Sequence, residues 1–126
     1  MEILGFDHLV LTTGDVAACL DFYGRVLGLA VQEEKGRYSL HFGGQKINLH
    51  TRPAEFLPAA AHPTAGSLDL CFAVAGSLDE ARRALLARGA VLEQDEVVRH
   101  GAKGEMKSLY LRDPDGNLVE LGFYAP

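Results

Sequence analysis

The sequence predicts an α+β fold made of two tandem βαβββ units. This prediction depends on apolar runs typical of strands, on two capped helical segments, and on a repeat of the whole pattern. The chain has 126 residues, 48% of them hydrophobic, which is typical of a domain that folds without disulfides or a structural metal. We therefore expect any bound metal to serve function.

The first predicted unit covers about residues 1–52. Residues 3–13 are apolar and partly alternating, as in a strand with one face on a core. Asp15 is a suitable N-cap for the helix that follows, and Gly28 is a suitable stop for that helix. Three short strands separated by turn dipeptides are then predicted at residues 29–34, 37–42 and 46–50.

The second predicted unit, residues 67–126, repeats this pattern after a segment that is typical of a linker. Residues 53–66 contain three prolines and three consecutive alanines, so they form either a lid or a plain connector. Ser77 caps the second helix and Gly89 ends it. Strands are predicted at residues 67–74, 91–98, 106–111 and 117–123, with a turn at residues 113–116.

The internal repeat is in register. His8 and Asp69 are 61 positions apart, and so are the two glycines that end the helices. The ends of the units align at an offset of 72, which places Asn48 opposite Glu120. Each unit therefore contributes one polar residue from its first strand and one from its last strand.

Polar residues within apolar strands indicate where chemistry can occur, because burying them unpaired is costly. His8, His50, Asp69 and Glu120 are such residues, and their nitrogen and oxygen donors suit zinc, nickel, manganese or iron. Without the repeat, a lone histidine in a strand is more often a hydrogen-bonded core residue. A glutamate between apolar neighbours can also simply face solvent on a half-buried sheet.

The charge and the hydropathy pattern argue against several classes of protein. A formal net charge of -5 without a basic cluster in the sequence argues against nucleic acid as a partner. No apolar run approaches the roughly 20 residues of a membrane span, and residues 1–6 lack the features of a signal peptide. We expect a cytoplasmic protein in which Cys19 and Cys71 are buried, reduced and not catalytic.

The motifs resemble the vicinal oxygen chelate superfamily, which includes glyoxalase I, extradiol dioxygenases, fosfomycin-resistance transferases and bleomycin-binding proteins. The resemblance covers nearly the whole chain, and its most specific piece is Asp-Pro-Asp-Gly at residues 113–116 followed by Glu120. It is also carried by residues 6–11 and 21–28. Within the superfamily, the chain is most similar to small glyoxalase-domain proteins, some of them described as virulence-associated.

The resemblance implies that the sheets of the two units form a curved cup, with metal ligands on the first and last strands of each unit. His8 and Glu120 match the usual ligands, and Glu120 is also the expected base. Asp69 stands where histidine is usual. Asn48 stands where glyoxalase I has glutamate, so His50 on the same strand face is the alternative. The predicted metal ligands are His8, His50, Asp69 and Glu120.

The function implied by the resemblance is a metal-dependent lyase or isomerase of the glyoxalase type. In such an enzyme a divalent metal holds two neighbouring oxygens of a small substrate and stabilises negative charge there. The alternatives are a non-catalytic drug- or metabolite-binding protein, an extradiol dioxygenase-like enzyme and a thiol transferase. The resemblance also implies a homodimer with a small-molecule substrate, while the charge and the hydropathy pattern argue against nucleic acid and a membrane as partners.

Overall fold

The computed structural model describes all 126 residues, which form two compact units, residues 1–66 and 67–126. Each unit contains one helical segment and a four-stranded mixed sheet in the order βαβββ. The α+β class predicted from the sequence is confirmed. None of the helices has the length and apolar character needed to span a lipid bilayer.

Unit 1 has four strands and one helical segment, in the predicted order. These are β1 (His8–Thr12), α1 (Val16–Leu20) continued by a π-helical segment (Asp21–Val26), β2 (Ala30–Glu34), β3 (Arg37–Phe42) and β4 (Gln45–His50). The strand order in the sheet is β1-β4-β3-β2. Strands β1 and β4 are parallel, and the other two pairs are antiparallel.

The sequence signals around the first helix act as predicted. The Asp15 side chain accepts a hydrogen bond from the Ala18 N–H at 3.1 Å. Gly28 ends the segment with φ +80°, a conformation that only glycine adopts freely. The sequence predicted a regular helix throughout, but the last turn is wider, because the Leu27 N–H donates to the Phe22 carbonyl five residues back at 2.9 Å.

One face of the unit 1 sheet belongs to the core. Leu11, Ile47 and Leu40 come from three adjacent strands and are fully buried, as are Tyr23 and Cys19 of the helical segment. Fully burying one such side chain stabilises a fold by roughly 1.5–3 kcal/mol. Because side chains alternate along a strand, the even-numbered residues of β1 and β4 lie on the other face, which is the polar face of unit 1.

Unit 2 repeats the topology of unit 1. Its elements are β5 (Asp69–Ala73), α2 (Leu78–Ala87), β6 (Gln94–Gly101), β7 (Gly104–Arg112) and β8 (Leu118–Tyr124). The strand order is β5-β8-β7-β6, and β5 is parallel to β8. Ser77 caps α2 by accepting a hydrogen bond from the Glu80 N–H at 3.1 Å, as the sequence predicted.

Two predicted strand boundaries are wrong. Residues 3–7 are not in a strand, and the Ile3, Leu4 and Phe6 side chains are exposed. Strand β1 pairs only with β4, which begins at Gln45, so the residues before Asp7 have no strand to bond with. The sixth strand covers residues 94–101 instead of 91–98, because the turn of its hairpin lies between Gly101 and Gly104.

The prediction that both cysteines are buried is correct for Cys19 and wrong for Cys71, which is exposed. Cys71 lies between apolar residues, and these neighbours suggested burial. In β5, however, alternation directs Cys71 to the same face as Asp69, and its partner across the ladder is Glu120. We call this face, with the side chains that lie on it from β6 and β7, the polar face of unit 2.

The predicted turn at residues 113–116 joins β7 to β8 through a buried hydrogen-bond network. Asp113 is 4% exposed and Asn117 is 1% exposed. The Asp113 carboxylate accepts bonds from the Asn117 backbone N–H at 2.9 Å and from its amide nitrogen at 2.7 Å. The Asn117 side-chain oxygen in turn accepts a bond from the Leu68 N–H at 2.8 Å. Asn117 therefore ties the start of β8 to the residue that precedes β5.

We expect Asn117→Ala to lower the free energy of unfolding by about 2–3 kcal/mol, because it leaves a buried carboxylate oxygen and a backbone N–H without their partner. Urea denaturation measures this change. Asn48→Ala is the matched control, since Asn48 is half-buried and forms no side-chain hydrogen bond within the protein. An equal loss of stability in both variants would contradict the role given to Asn117.

Candidate functional site

The polar face of unit 1 carries His8, Asn48 and His50. The β1–β4 register pairs Asn48 with Val10, two residues after His8, and pairs His50 with Thr12, four residues after His8. At the usual rise of about 3.3 Å per residue, His50 lies roughly 13 Å further along the strand than His8. The register thus favours Asn48 as the nearer neighbour of His8.

His8 is oriented by the residue before it. Its Nδ1 lies 2.8 Å from the Asp7 carboxylate, and this hydrogen bond, with the charge of the imidazole, lowers the pKa of Asp7. Because Nδ1 is engaged, Nε2 is the nitrogen left for a ligand. The His8 side chain is 46% exposed, so it is open to solvent. A carboxylate that holds the second nitrogen is the usual partner of a metal-binding histidine.

His50 has an aromatic neighbour from the predicted linker. The His50 and Phe56 rings meet edge to face with their centroids 5.2 Å apart. The Arg37 guanidinium lies over the same Phe56 ring at 3.7 Å. The Thr51 hydroxyl donates to Glu55 at 2.8 Å and thereby closes the turn before Phe56, and this bond lowers the pKa of Glu55.

The polar face of unit 2 carries Asp69, Cys71 and Glu120. Cys71 is paired with Glu120 across the β5–β8 ladder, and Asp69 lies two residues before Cys71. Asp69 and Glu120 are therefore related in the same way as His8 and Asn48 in unit 1. The strand registers agree with the repeat that the sequence shows.

Glu120 is held by a serine on the neighbouring strand. Its half-buried carboxylate accepts a hydrogen bond from the Ser108 hydroxyl at 2.6 Å, and Ser108 is fully buried. Tyr110 is the partner of Glu120 across the β7–β8 ladder. The Arg99 Nε donates to the Tyr110 hydroxyl at 2.9 Å. Ser108, Tyr110 and Arg99 therefore form a group of polar side chains around the Glu120 carboxylate.

Burial raises the pKa of Tyr110, while the hydrogen bond from Arg99 opposes that rise and the interaction with Glu120 adds to it. Tyr110 therefore keeps its proton at neutral pH and acts as a hydrogen-bond donor. The sequence indicates Ser108 and Tyr110 only through their alternation on one strand. Arg99 has no such signal, because its position depends on the register of a hairpin whose first strand begins three residues later than the sequence pattern predicts.

Partial burial by neighbouring side chains raises the pKa of the Cys71 thiol to about 11, and the charges of Glu120 and Asp69 add to this rise. The thiolate is the nucleophilic form of cysteine. Cys71 is thus a weak nucleophile at neutral pH although it is exposed.

The four predicted metal ligands are divided evenly between the units. His8 and His50 lie on the polar face of unit 1, and Asp69 and Glu120 lie on that of unit 2. No group of three or more histidine, cysteine, aspartate or glutamate side chains is arranged so that it could hold a metal ion. Within each unit, the register brings two polar positions close together on one face, His8 with Asn48 in unit 1 and Asp69 with Glu120 in unit 2.

Two βαβββ units with matched polar positions on their first and last strands define a duplicated α+β domain. The chain belongs to the Glyoxalase/Bleomycin resistance protein/Dioxygenase superfamily, whose family model matches residues 5–121. The resemblance found in the sequence is confirmed.

Individual relatives agree with this assignment. The chain is 46% identical over 126 residues to virulence protein STM3117 of Salmonella typhimurium, covering 99% of this chain and 88% of that protein. The crystal structure of that protein has a TM-score of 0.94 at 44% identity, covering 99% of this chain and all of that one (100%).

A fungal relative and a more distant enzyme structure are also similar. Glyoxalase domain-containing protein RDO1 of Mycosarcoma maydis is 44% identical over 124 residues, which is 98% of this chain and 70% of that protein. The crystal structure of lactoylglutathione lyase from Agrobacterium tumefaciens has a TM-score of 0.74 at 27% identity, covering 97% and 95% of the two chains.

We expect iodoacetamide to alkylate Cys71 slowly at neutral pH, with a rate that rises through a pKa of about 11. Glu120→Gln removes a negative charge beside the thiol and should lower that pKa, so alkylation at about pH 9 becomes faster. Mass spectrometry of chelator-treated protein measures the rate at each pH. Cys71→Ser, which retains the buried Cys19, gives the background, and equal rates in wild type and Glu120→Gln would contradict the coupling.

Proposed function

We propose that this protein is a metal-dependent enzyme of the glyoxalase type, a lyase or isomerase that acts on a small oxygen-rich substrate. The observation that carries the proposal is Glu120, a half-buried carboxylate on the last strand that Ser108 holds at 2.6 Å. The similarity to lactoylglutathione lyase at 27% identity adds support from a protein whose name states such an activity.

The donor set fits a divalent metal such as zinc, nickel, manganese or iron. The proposed ligands are His8, Asp69, Glu120 and one residue of β4. The bond from His8 Nδ1 to Asp7 at 2.8 Å supports the assignment of His8, because it leaves Nε2 for the metal and fixes the ring.

The fourth ligand is one of two residues on the same face of β4. His50 is favoured by chemistry, because an imidazole is a better ligand than a carboxamide for these metals. Asn48 is favoured by register, because it lies nearer to His8 and occupies the position equivalent to Glu120.

A divalent metal, when bound, supplies stabilisation of negative charge on two neighbouring oxygens of the substrate. Glu120 is the proposed base, since Ser108 fixes its carboxylate at a site that also borders Tyr110. Tyr110 remains protonated at neutral pH and is the proposed donor of a hydrogen bond to the carboxylate or to a substrate oxygen. Proton transfer at a carbon next to an oxygen is the step that these residues suit.

A homodimer is part of the same proposal. The exposed Ile3, Leu4 and Phe6 side chains support it, because contiguous exposed apolar side chains often mark an interface between proteins. Light scattering in solution should give the mass of two chains, and a mass of one chain at all concentrations would contradict the dimer.

We expect tag-free wild-type protein to contain nearly stoichiometric metal, and we expect His8→Ala and Glu120→Ala to lose it. Removing a ligand takes away a direct bond to the metal, so the loss of affinity should exceed the roughly 10–100-fold that follows from changing residues around the ligands. Elemental analysis measures the metal content. The matched controls are His100→Ala and Glu33→Ala, exposed residues that alternation places away from the polar faces.

The same measurement on His50→Ala and Asn48→Ala identifies the fourth ligand as the residue whose loss lowers the metal content. Wild-type protein that contains no metal and takes up no added nickel, zinc, manganese or iron would contradict the proposal. In that case the non-catalytic drug- or metabolite-binding alternative becomes the better account, and screening for ligands replaces activity assays.

A further inference from the structure

Unit 1 contains a polar cleft with a volume of about 630 Å³ on the face that carries its candidate ligands. Its lining includes Arg37, Ser39, Lys46, Asn48, His50 and Phe56. We propose that this cleft binds an anionic group of the substrate, a carboxylate or a phosphate. This proposal rests on the proposed function, because that function makes the bound ligand a substrate. It adds that the substrate is an acid.

The charge of the cleft is opposite to the charge of the whole chain. Its lining contains three cationic side chains, Lys35, Arg37 and Lys46, and one carboxylate, Glu34. The chain as a whole has a formal net charge of -5. A concave surface of one charge raises the local concentration of small ions of the opposite charge. An acidic protein whose cationic side chains are clustered in one cleft is therefore suited to attract an anion to that cleft.

Arg37 is the central group of the cleft, because its guanidinium stacks on an aromatic ring and forms no ion pair. It lies 3.7 Å from the centre of the Phe56 ring. Glu34 is its partner across the β2–β3 ladder, yet the two side chains form no ion pair.

Other arginines of the chain differ from Arg37. Arg25, Arg82 and Arg112 each bind a carboxylate at 2.7–3.0 Å. An arginine stacked on an aromatic ring keeps the donors at its edge free for a planar anion such as a carboxylate or phosphate. The stacking on Phe56 thus presets the orientation of Arg37 for a bidentate contact.

Neutral polar side chains complete the cleft. Asn48 and Ser39 are partners across the β3–β4 ladder and lie on the same face as Lys46, and the Ser39 hydroxyl is hydrogen-bonded to His41 Nε2 at 2.8 Å. The Asn48 amide is half-buried and forms no hydrogen bond to another side chain, so its nitrogen is available to a ligand. A guanidinium, an ammonium and an amide nitrogen are all hydrogen-bond donors, and the one carboxylate of the lining, Glu34, forms no ion pair with Arg37.

The test is a titration of the protein as purified with inorganic phosphate and, separately, with malonate, followed by ¹⁵N chemical shifts. Malonamide, which has the size of malonate but no charge, is the ligand control. We expect both anions to shift the amide signals of β3 and β4, and malonamide to leave them unchanged. Arg37→Gln should weaken anion binding about tenfold or more, as expected for the loss of a charge-assisted bond.

Three further variants make the result specific. Arg25→Gln, which removes an exposed arginine paired with Asp21 outside the cleft, should change the affinity less than about twofold. Phe56→Leu retains every charge but removes the stacking ring, and it should weaken binding severalfold. Arg37→Lys retains the charge in a folded protein and should restore only part of the affinity, because lysine lacks the planar fork.

Glu120→Gln separates this proposal from the proposed metal site. Anion affinity that falls in Glu120→Gln as much as in Arg37→Gln would mean that the anion binds elsewhere, and it would overturn the cleft. Equal binding of malonate and malonamide would overturn it as well. A wild-type protein that binds the anion through Arg37 and yet contains and takes up no metal would support the anion-binding cleft and reject the metal-dependent enzyme.

Discussion

Parallel pairing between the first and last strands of each unit is the constraint on which the candidate site depends. Strand β1 binds β4 and strand β5 binds β8 in equivalent registers. Since residues two apart share a face, these registers place His8 near Asn48 and Asp69 near Glu120. The intervening helix and strands bury the opposite face of each sheet, so the polar face is left for chemistry.

The two units have the same backbone topology, but different side chains surround their polar faces. In unit 2 a buried serine holds Glu120 at 2.6 Å, and the neighbouring Tyr110 is bound by Arg99. In unit 1 the segment after β4 returns Phe56 to the sheet, where it stacks on Arg37. Unit 2 thus surrounds a carboxylate with hydrogen-bonding side chains, whereas unit 1 places cationic side chains beside neutral polar ones.

The fold could be predicted because helix caps and periodicity are visible within short stretches of sequence. Contacts between residues that are far apart in the sequence leave no such pattern. The caps at Asp15 and Ser77 and the periodicity of the helices act within a few residues, and the structure has them as predicted. The first strand was predicted too long because its end depends on where β4 begins. The repeat led to Glu120 and His8, but the position of Phe56 depends on how a proline-containing segment folds back, which neither composition nor spacing predicts.

The most direct test of the central claim is anomalous diffraction at the metal absorption edge from crystals grown with nickel or zinc. The proposed metal site requires an anomalous peak bound to its proposed ligands, His8 and Glu120 among them. A peak bound to other residues, or no peak after soaking with nickel, zinc, manganese and iron in turn, would contradict it.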